Sequence, residues 1–463
     1  MSVIENQGMS INLRTNLSIH VVGVGGAGMR AIALVLASMG HSVSGSDLKN
    51  SPGLDRLLAA GIKVTIGHSK DNVGQVDLVT RSTAVTDKNI EVDEARKRGI
   101  PIVSRAEILS AITKTKPTVS IAGTHGKTTT SSMLAVLLAQ AEYNPSFIVG
   151  GEVNEIGCGA LWEEGSEILV VEADESDGTF LTLDSDYAII TNIEPDHLDH
   201  YGGEGLLYEA FELFLSNIQG KAFVCSDDPG AMSIIDDYDI ITYGVNPKSD
   251  YAITDYEGSR FGSRFSLRGP EGELGEFSLA TPGLYNARNA TAALAFGHHL
   301  GADIDLLRAG LAQFGGVARR FHYRGERGGV AFVDDYAHLP TEVSSVLEAV
   351  KEGRWGRIVC VFQPHRYSRT SDLWEDFSHA FEDADVVFIT DVYSAGEVPI
   401  PGVSGRLIVD AVREAFPEKK ILYCDHREEL VTEIRSELIK GDICLTLGAG
   451  DITTLPNELM SGG

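Results

Sequence analysis

Residues 118–130, TVSIAGTHGKTTT, constrain this chain more than any other stretch. Val119, Ile121 and Ala122 read as a short buried strand, Gly123 and Gly126 as a turn, and Lys127 onward as a helix with apolar residues at Leu134, Leu137, Leu138 and Ala141. Strand, glycine turn and helix start together aim backbone N–H groups and the positive end of a helix dipole at one point, which is how proteins hold phosphates. In such a loop Lys127 reaches the terminal phosphates, and Thr128 or Thr129 offers a hydroxyl to Mg²⁺. Only Thr124 and His125 separate the glycines, where the general loop has about four residues. The stretch is expected to be a shortened nucleoside-triphosphate loop.

A chain of 463 residues exceeds what one core supports, so several domains of roughly 100–200 residues each are expected. The formal charge of −28 argues against a nucleic-acid duplex as partner, and anionic ligands then need local Arg, Lys and Mg²⁺ sites. The cysteines at 158, 225, 360, 424 and 444 have no metal-ligand spacing and suit a reducing cytoplasm as core residues. No stretch approaches the ~18 uninterrupted apolar residues of a membrane helix, and residues 1–17 lack a signal-peptide core. A cytoplasmic protein, without a membrane or nucleic-acid partner, is expected.

The N-terminal block carries a second glycine turn. After the apolar strand residues Ile19, Val21 and Val22 come Gly23, Gly25, Gly26 and Gly28, a helical pattern, and a second strand ending near Asp47. This is the dinucleotide-type fingerprint with an acid where a ribose hydroxyl is met, and a nicotinamide cofactor, a flavin or a UDP-sugar would each satisfy it. Turns after later strands bring in Ser82 and Arg105, at positions where open parallel sheets bind ligands. Residues 113–117 are basic, end in proline and read as a linker.

In the middle block the apolar run 168–171 ends in Glu172, Ala173, Asp174, Glu175, Ser176 and Asp177, carboxylates suited to Mg²⁺ beside a phosphate loop. A second run, 188–190, leads into 192–200, NIEPDHLDH, with His197 among the acids. Residues 221–280 read as strands and turns with little chemistry. Asn286 and Asn289 stand one turn apart at the start of an Ala-rich helix, where they serve either as caps or as amides facing a base edge.

The third block reads as another doubly wound α/β domain. Asp335, Tyr336 and His338 follow one strand; His365, Arg366 and Arg369 follow another and form a cationic group suited to a small carboxylate, which Arg grips bidentately. The tight turn 448–451, GAGD, has no assigned role.

Taken in order, GVGGAG, GTHGKTTT, EADESD, NIEPDHLDH, YNARN, RRF, DDYAH and QPHRYSRT resemble the motif series of the Mur ligases of bacterial cell-wall synthesis over essentially the whole chain. QPHRYSRT together with GTHGKTTT and GVGGAG points to the branch that adds a single alanine. The resemblance implies an α/β protein of three domains: a Rossmann-like UDP-sugar domain over 1–115, a P-loop ATPase-like domain over 116–316, and a doubly wound amino-acid domain over 317–463. It further implies ATP and two Mg²⁺ ions as cofactors, UDP-N-acetylmuramate and L-alanine as substrates, and a monomer or homodimer. Residue by residue, Gly123, Gly126, Lys127, Thr128 and Thr129 would hold the ATP phosphates. Asn286 and Asn289 would face adenine, Arg320 the phosphates and Asp335 the ribose side. Thr128 and Glu172 would ligate one Mg²⁺ and His197 a second, with Lys127, His197 and Arg320 as the catalytic set. Gly23, Gly25, Gly26, Gly28, Asp47, Ser82, Arg105 and His125 would serve the UDP-sugar. Tyr336, His338, His365, Arg366 and Arg369 would receive alanine.

Two positions depart from the pattern. Several family members carry a carbamylated lysine downstream of the metal histidine; residues 198–220 contain none, and Glu212 falls near that position. Leu339 stands where a second histidine is usual in the alanine-adding branch. The rival readings are a ligase that attaches a recycled peptide, a degenerate nucleotide sensor, and a NAD-dependent dehydrogenase resting on the first glycines alone.

Overall fold

The computed structural model describes residues 11–51, 53–153, 157–235 and 238–461. Buried apolar strands that run into helices build three sheets. The first consists of β1 (Ser18–Val22), β2 (Ser42–Asp47), β3 (Lys63–Ile66), β4 (Leu78–Arg81) and β5 (Ile102–Ser104). Their order is β3-β2-β1-β4-β5 and every pairing is parallel. Strand order reverses at β1, so the turn that follows it lies at the switch point where doubly wound sheets open a ligand crevice. Helix Ala27–Ser38 leaves that turn and buries Met29, Ile32, Ala33, Val35 and Leu36, the face its spacing predicts.

The second sheet is built on β6 (Thr118–Ala122), buried at every residue. Around it stand β7 (Ser146–Val153), β8 (Cys158–Leu161), β9 (Leu169–Glu172), β10 (Tyr187–Ile190), β11 (Ala222–Cys225) and β12 (Ile240–Gly244), in the order β12-β11-β10-β6-β9-β7-β8. The pairs are parallel except the β7–β8 hairpin. β6 lies between β9 and β10, so the loop after it emerges among three strand ends. β13 (Tyr251–Ser259), β14 (Gly262–Gly269) and β15 (Gly272–Leu279) follow, where the sequence pattern predicts strands.

The third sheet contains β16 (His322–Arg327), β17 (Val330–Asp335), β18 (Ile358–Phe362), β19 (Val386–Ile389), β20 (Lys420–Tyr423) and β21 (Ile443–Leu447), ordered β16-β17-β21-β18-β19-β20. Only the edge strand β16 is antiparallel. The ends of β17, β21, β18 and β19 therefore point the same way, and four loops gather on one edge.

The chain divides into two compact units. One comprises residues 1–252, 268–272 and 289–310; the other comprises 253–267, 273–288 and 311–463. Among the described residues no helix is long and apolar enough to cross a membrane. Cys225, Cys360, Cys424 and Cys444 are buried free thiols, as their scattered spacing implies, and Cys158 is partly buried.

Candidate active site

In the first unit the glycine turn after β1 is closed by its own sheet. The Gly23 and Val24 amides donate to the Ser46 carbonyl, and the Gly25 amide donates to Asp47 Oδ2 at 2.8 Å. A Cβ on Gly25 would lie 2.8 Å from that same oxygen, so only glycine fits under the carboxylate. Ser82 stands over Gly23, and the Arg105 guanidinium lies 3.1 Å from where a Cβ on Gly28 would be. The structure thus gathers Gly23, Gly25, Gly26, Gly28, Asp47, Ser82 and Arg105 around one helix N-terminus. Arg105 also pairs with Asp177 at 3.3 Å, which ties this turn to the acidic segment after β9.

Sequence reasoning passed over what supports this turn. Glu91 is fully buried and accepts from Ser46 Oγ, the Ser69 amide at 3.1 Å and Asn72 Nδ2, with the His68 and His20 rings at 3.2 and 3.5 Å. Burial alone would raise its pKa, but the hydrogen bonds from His20, Ser46, Asn72 and Ser69 outweigh it and bring the carboxyl down to about 2. The signal was a glutamate in the first turn of a helix, indistinguishable in sequence from an exposed one.

Strand, glycine turn and helix succeed one another over 118–130 as expected. Gly126, at φ +82°, caps helix Lys127–Gln140, and Lys127, Thr128 and Thr129 make its first turn. Lys127 Nζ lies back over the loop, donating to the Gly123 and Thr124 carbonyls at 2.5 and 3.1 Å and to Glu175 Oε1 at 2.9 Å. Glu175 is 3% exposed; burial pushes its carboxyl up to about 7, although the Lys127 charge opposes this. Thr128 Oγ1 donates to Glu172 Oε1 at 3.0 Å, and the other Glu172 oxygen accepts from the Gly150 amide at 2.6 Å. Thr128 and Glu172 are hard oxygen donors at the mouth of the loop and fit Mg²⁺, which takes few protein ligands and completes its shell with water and phosphate oxygens. Among the described residues no group of three or more His, Cys, Asp or Glu side chains is placed to hold a metal ion.

His197, at φ +56°, caps the short helix Leu198–Tyr201 and its ring meets Asp196 at 3.3 Å. His125 donates its amide to Asn192 Oδ1 at 2.8 Å and its ring meets Glu194 at 3.2 Å, which ties the turn after β6 to the loop after β10. Asn289 lies against the phosphate loop: a Cβ on Gly126 would come within 2.7 Å of its Oδ1. Glu212 is exposed on helix Glu204–Ser216, whose buried face carries Phe211 and Phe214; the carboxylate beside Lys127 is Glu175.

In the second unit Asn286, inside helix Leu284–His299, donates Nδ2 to the Pro282 carbonyl at 2.7 Å. Asp335 accepts from the Phe321 amide at 2.6 Å and the Ala337 amide at 2.8 Å, pinning the turn that carries Arg319 and Arg320 to the end of β17. Burial raises its carboxyl to about 6 against the pull of Arg320 and those two amides. Both guanidinium groups, Arg319 and Arg320, lie over the Tyr336 ring at 4.8 and 4.9 Å. From there the rings run on: Tyr336 to His338 at 5.3 Å, His338 to His365 at 5.7 Å, and His365 stacked on Tyr393 at 5.6 Å. Arg369 Nη1 stands 3.2 Å from His365 Nδ1, and Arg366, at φ +70°, begins helix Tyr367–Leu373. Burial first, then His338, Arg369 and Arg366, push the His365 imidazole down to about 4. Leu339 is buried and its amide donates to Glu342 Oε2, so the departure from the family pattern falls in the core beneath this group. Tyr393, Glu342 and Arg319 were not singled out from sequence; Glu342, four residues after His338, is the one that helical spacing would have found.

In the first unit a glycine loop with an adjoining hydroxyl–carboxylate pair and a separate glycine turn, and in the second unit a group of arginines and histidines, accompany family matches that define an ATP-dependent acid–amino-acid ligase. The chain belongs to the Mur ligase family. Residues 18–117 match its family profile described as the catalytic domain, 121–297 the Mur ligase middle domain, and 319–450 the glutamate ligase domain. A UDP-N-acetylmuramate–L-alanine ligase of Anaeromyxobacter sp. (strain Fw109-5) is 45% identical over 463 aligned residues, covering 98% of this chain and 99% of the relative. One from Pelotomaculum thermopropionicum is 43% identical, covering 96% of each. The crystal structure of UDP-N-acetylmuramate-alanine ligase MurC from Thermotoga maritima superposes with a TM-score of 0.78 at 30% identity, covering 96% of this chain and 98% of that one. A murein peptide ligase of Psychrobacter arcticus, at 22% identity and TM-score 0.68, shares the fold.

Proposed function

We infer that this chain joins L-alanine to the muramate carboxylate of UDP-N-acetylmuramate at the expense of ATP, in cytoplasmic synthesis of peptidoglycan precursors. The observation that carries the reading is the Thr128–Glu172 contact at 3.0 Å beside a half-buried Lys127, because a phosphoryl-transfer site needs oxygen donors and a fixed positive charge at one place. Residues 1–115 would take the UDP-sugar, 116–316 the ATP and 317–463 the amino acid.

A carboxylate is a poor acyl donor. Its oxygen attacks the γ-phosphorus of ATP, the bond to the β-phosphate oxygen breaks, and ADP leaves with the bonding pair, giving an acyl phosphate. Lys127 neutralises charge on the transferring group, and Glu175 holds its ammonium in the loop until a phosphate displaces the carboxylate. Arg320, braced on Tyr336 and Asp335, adds a second positive charge. Thr128 and Glu172 would hold one Mg²⁺ and His197 a second; the ions supply further neutralisation of the phosphates. Arg366 and Arg369 grip the alanine carboxylate. His365, held neutral with a pKa of about 4, adds no further charge to that grip, and the alanine ammonium gives up its proton to solvent. The freed amine then attacks the acyl carbon, and inorganic phosphate leaves. No covalent enzyme intermediate is required.

The test is phosphate release from ATP, Mg²⁺ and UDP-N-acetylmuramate, with and without L-alanine. Release that requires both the sugar and alanine is expected. Release independent of alanine, or reduction of NAD, would overturn the reading.

A further inference from the structure

The turn 448–451 and Tyr393 carry chemistry that the reaction scheme leaves unused. Tyr393 follows β19, and its backbone is locked to the segment after β18: its amide donates to the Pro364 carbonyl at 2.8 Å, and its carbonyl accepts from the Arg366 amide at 2.8 Å. These two bonds frame an isolated parallel bridge between His365 and Tyr393. The Tyr393 ring is pressed from two sides. His365 stacks on it with the planes 12° apart, and Gly450 approaches so closely that a Cβ there would lie 2.6 Å from the ring carbon Cγ. Gly450 is itself held, because Arg319 Nη2 donates to the Gly448 and Gly450 carbonyls at 2.8 and 3.1 Å, and Gln363 anchors Asp451 and the Ile452 amide. Tyr393 remains 38% exposed, beside the backbone segment that leads into Arg366 and the buried Arg369.

We propose that Tyr393, backed by Gly450 and His365, is the wall that limits the amino-acid substrate to small side chains. The inference rests on the reading of the Arg366 and Arg369 group as the amino-acid carboxylate site. A carboxylate gripped there turns its α-substituent toward the neighbouring apolar surface, and the exposed ring is that surface. A wall fixed through backbone bonds and ring stacking has no room to retreat, so a larger side chain overlaps it. A methyl group fits; a branched or longer chain does not.

The experiment compares kcat/KM for L-alanine with that for L-valine in the wild type and in Tyr393→Ala, Tyr393→Leu, Tyr393→Phe and Gly450→Ala, with KM for ATP and UDP-N-acetylmuramate measured in each. The alanine-to-valine ratio is expected to fall at least about tenfold in Tyr393→Ala and Tyr393→Leu, to hold in Tyr393→Phe, and to change in Gly450→Ala, which displaces the ring. KM for the two nucleotides is expected to stay within twofold, which a general loss of structure would not leave intact. The leucine variant keeps an apolar side chain on Gly450 and gives the same reading if the alanine variant does not fold. An unchanged ratio in whichever of these two variants folds would overturn the wall, as would a phenylalanine variant as permissive as the alanine one. A wild type with no alanine-dependent phosphate release would instead overturn the ligase reading on which the wall depends.

Discussion

Lys127 has two sets of partners available to it, and the structure shows one of them. With its ammonium bound to Glu175 and two loop carbonyls, it is a charge stored at the site of phosphoryl transfer. Lys127→Met removes that charge, and kcat for alanine-dependent phosphate release is expected to fall by about 10²–10³ or more. Glu175 then becomes a buried carboxyl with no cation beside it and takes up a proton rather than stay charged. His365 allows a second prediction. Its folded pKa of about 4 lies below the ordinary 6.5, so the unfolded chain binds the proton more readily between those values. The stability tied to this ring is present above about pH 6.5 and is lost as pH falls toward 4. An NMR titration is expected to find His365 neutral at about pH 6, where an ordinary histidine is mostly protonated; a midpoint near 6.5 would contradict the buried stack.

At the scale of elements, the phosphate-loop, acidic and His–Arg segments stand at the C-terminal ends of parallel strands, and that much follows from the sequence, whereas Asn286, Asn289 and Arg320 do not. The apolar runs 119–122, 168–171, 330–333 and 358–362 end where polar motifs begin, and strands β6, β9, β17 and β18 lie there. What joins the motifs was not legible. Asn289 lies more than 150 positions from the phosphate loop yet fills the space beside Gly126, since helix contacts between distant segments leave no local periodicity. Gly126→Ala places a Cβ 2.7 Å from Asn289 Oδ1 at a left-handed φ of +82°, and a stability loss of about 1–3 kcal/mol is expected by denaturant titration. Glu91 joins helix Ile90–Lys97 to β2 in the same hidden way. Its folded pKa of about 2 lies below the ordinary 4.5, so its contribution, about 3 kcal/mol, is complete above about pH 4.5 and is lost as pH falls toward 2. Glu91→Gln is expected to flatten this acid limb of the stability curve and to raise KM for the UDP-sugar more than KM for ATP.

For the molecule as a whole, compact units and linear segments differ in an instructive way. Residues 253–267 and 273–288 precede the third sheet in sequence but pack with residues 311–463. Tyr256 donates to Glu352 at 2.8 Å; Arg260 donates to the Gly353 carbonyl at 2.9 Å and stacks over Trp355; Phe261 meets both Trp355 and Tyr323. A chain ending at 316 would strip these partners away. It is expected to expose the β13–β14 hairpin, with more rapid limited proteolysis within 253–267 and greater binding of a hydrophobic dye than the full chain measured beside it.

The sequence by itself determined the strand and helix alternation, the three sheets, the two glycine turns and the motif order that marks the family. These are local properties: apolar period, turn chemistry and short spacing are written in neighbouring residues. Only the tertiary structure decided that Glu175 holds Lys127, that Asp335 spends both oxygens on backbone amides, that Leu339 is core, and that Tyr393 meets Gly450. Those contacts join segments far apart in the chain. They depend on which strand lies beside which and on how closely a backbone without a Cβ lets a ring approach.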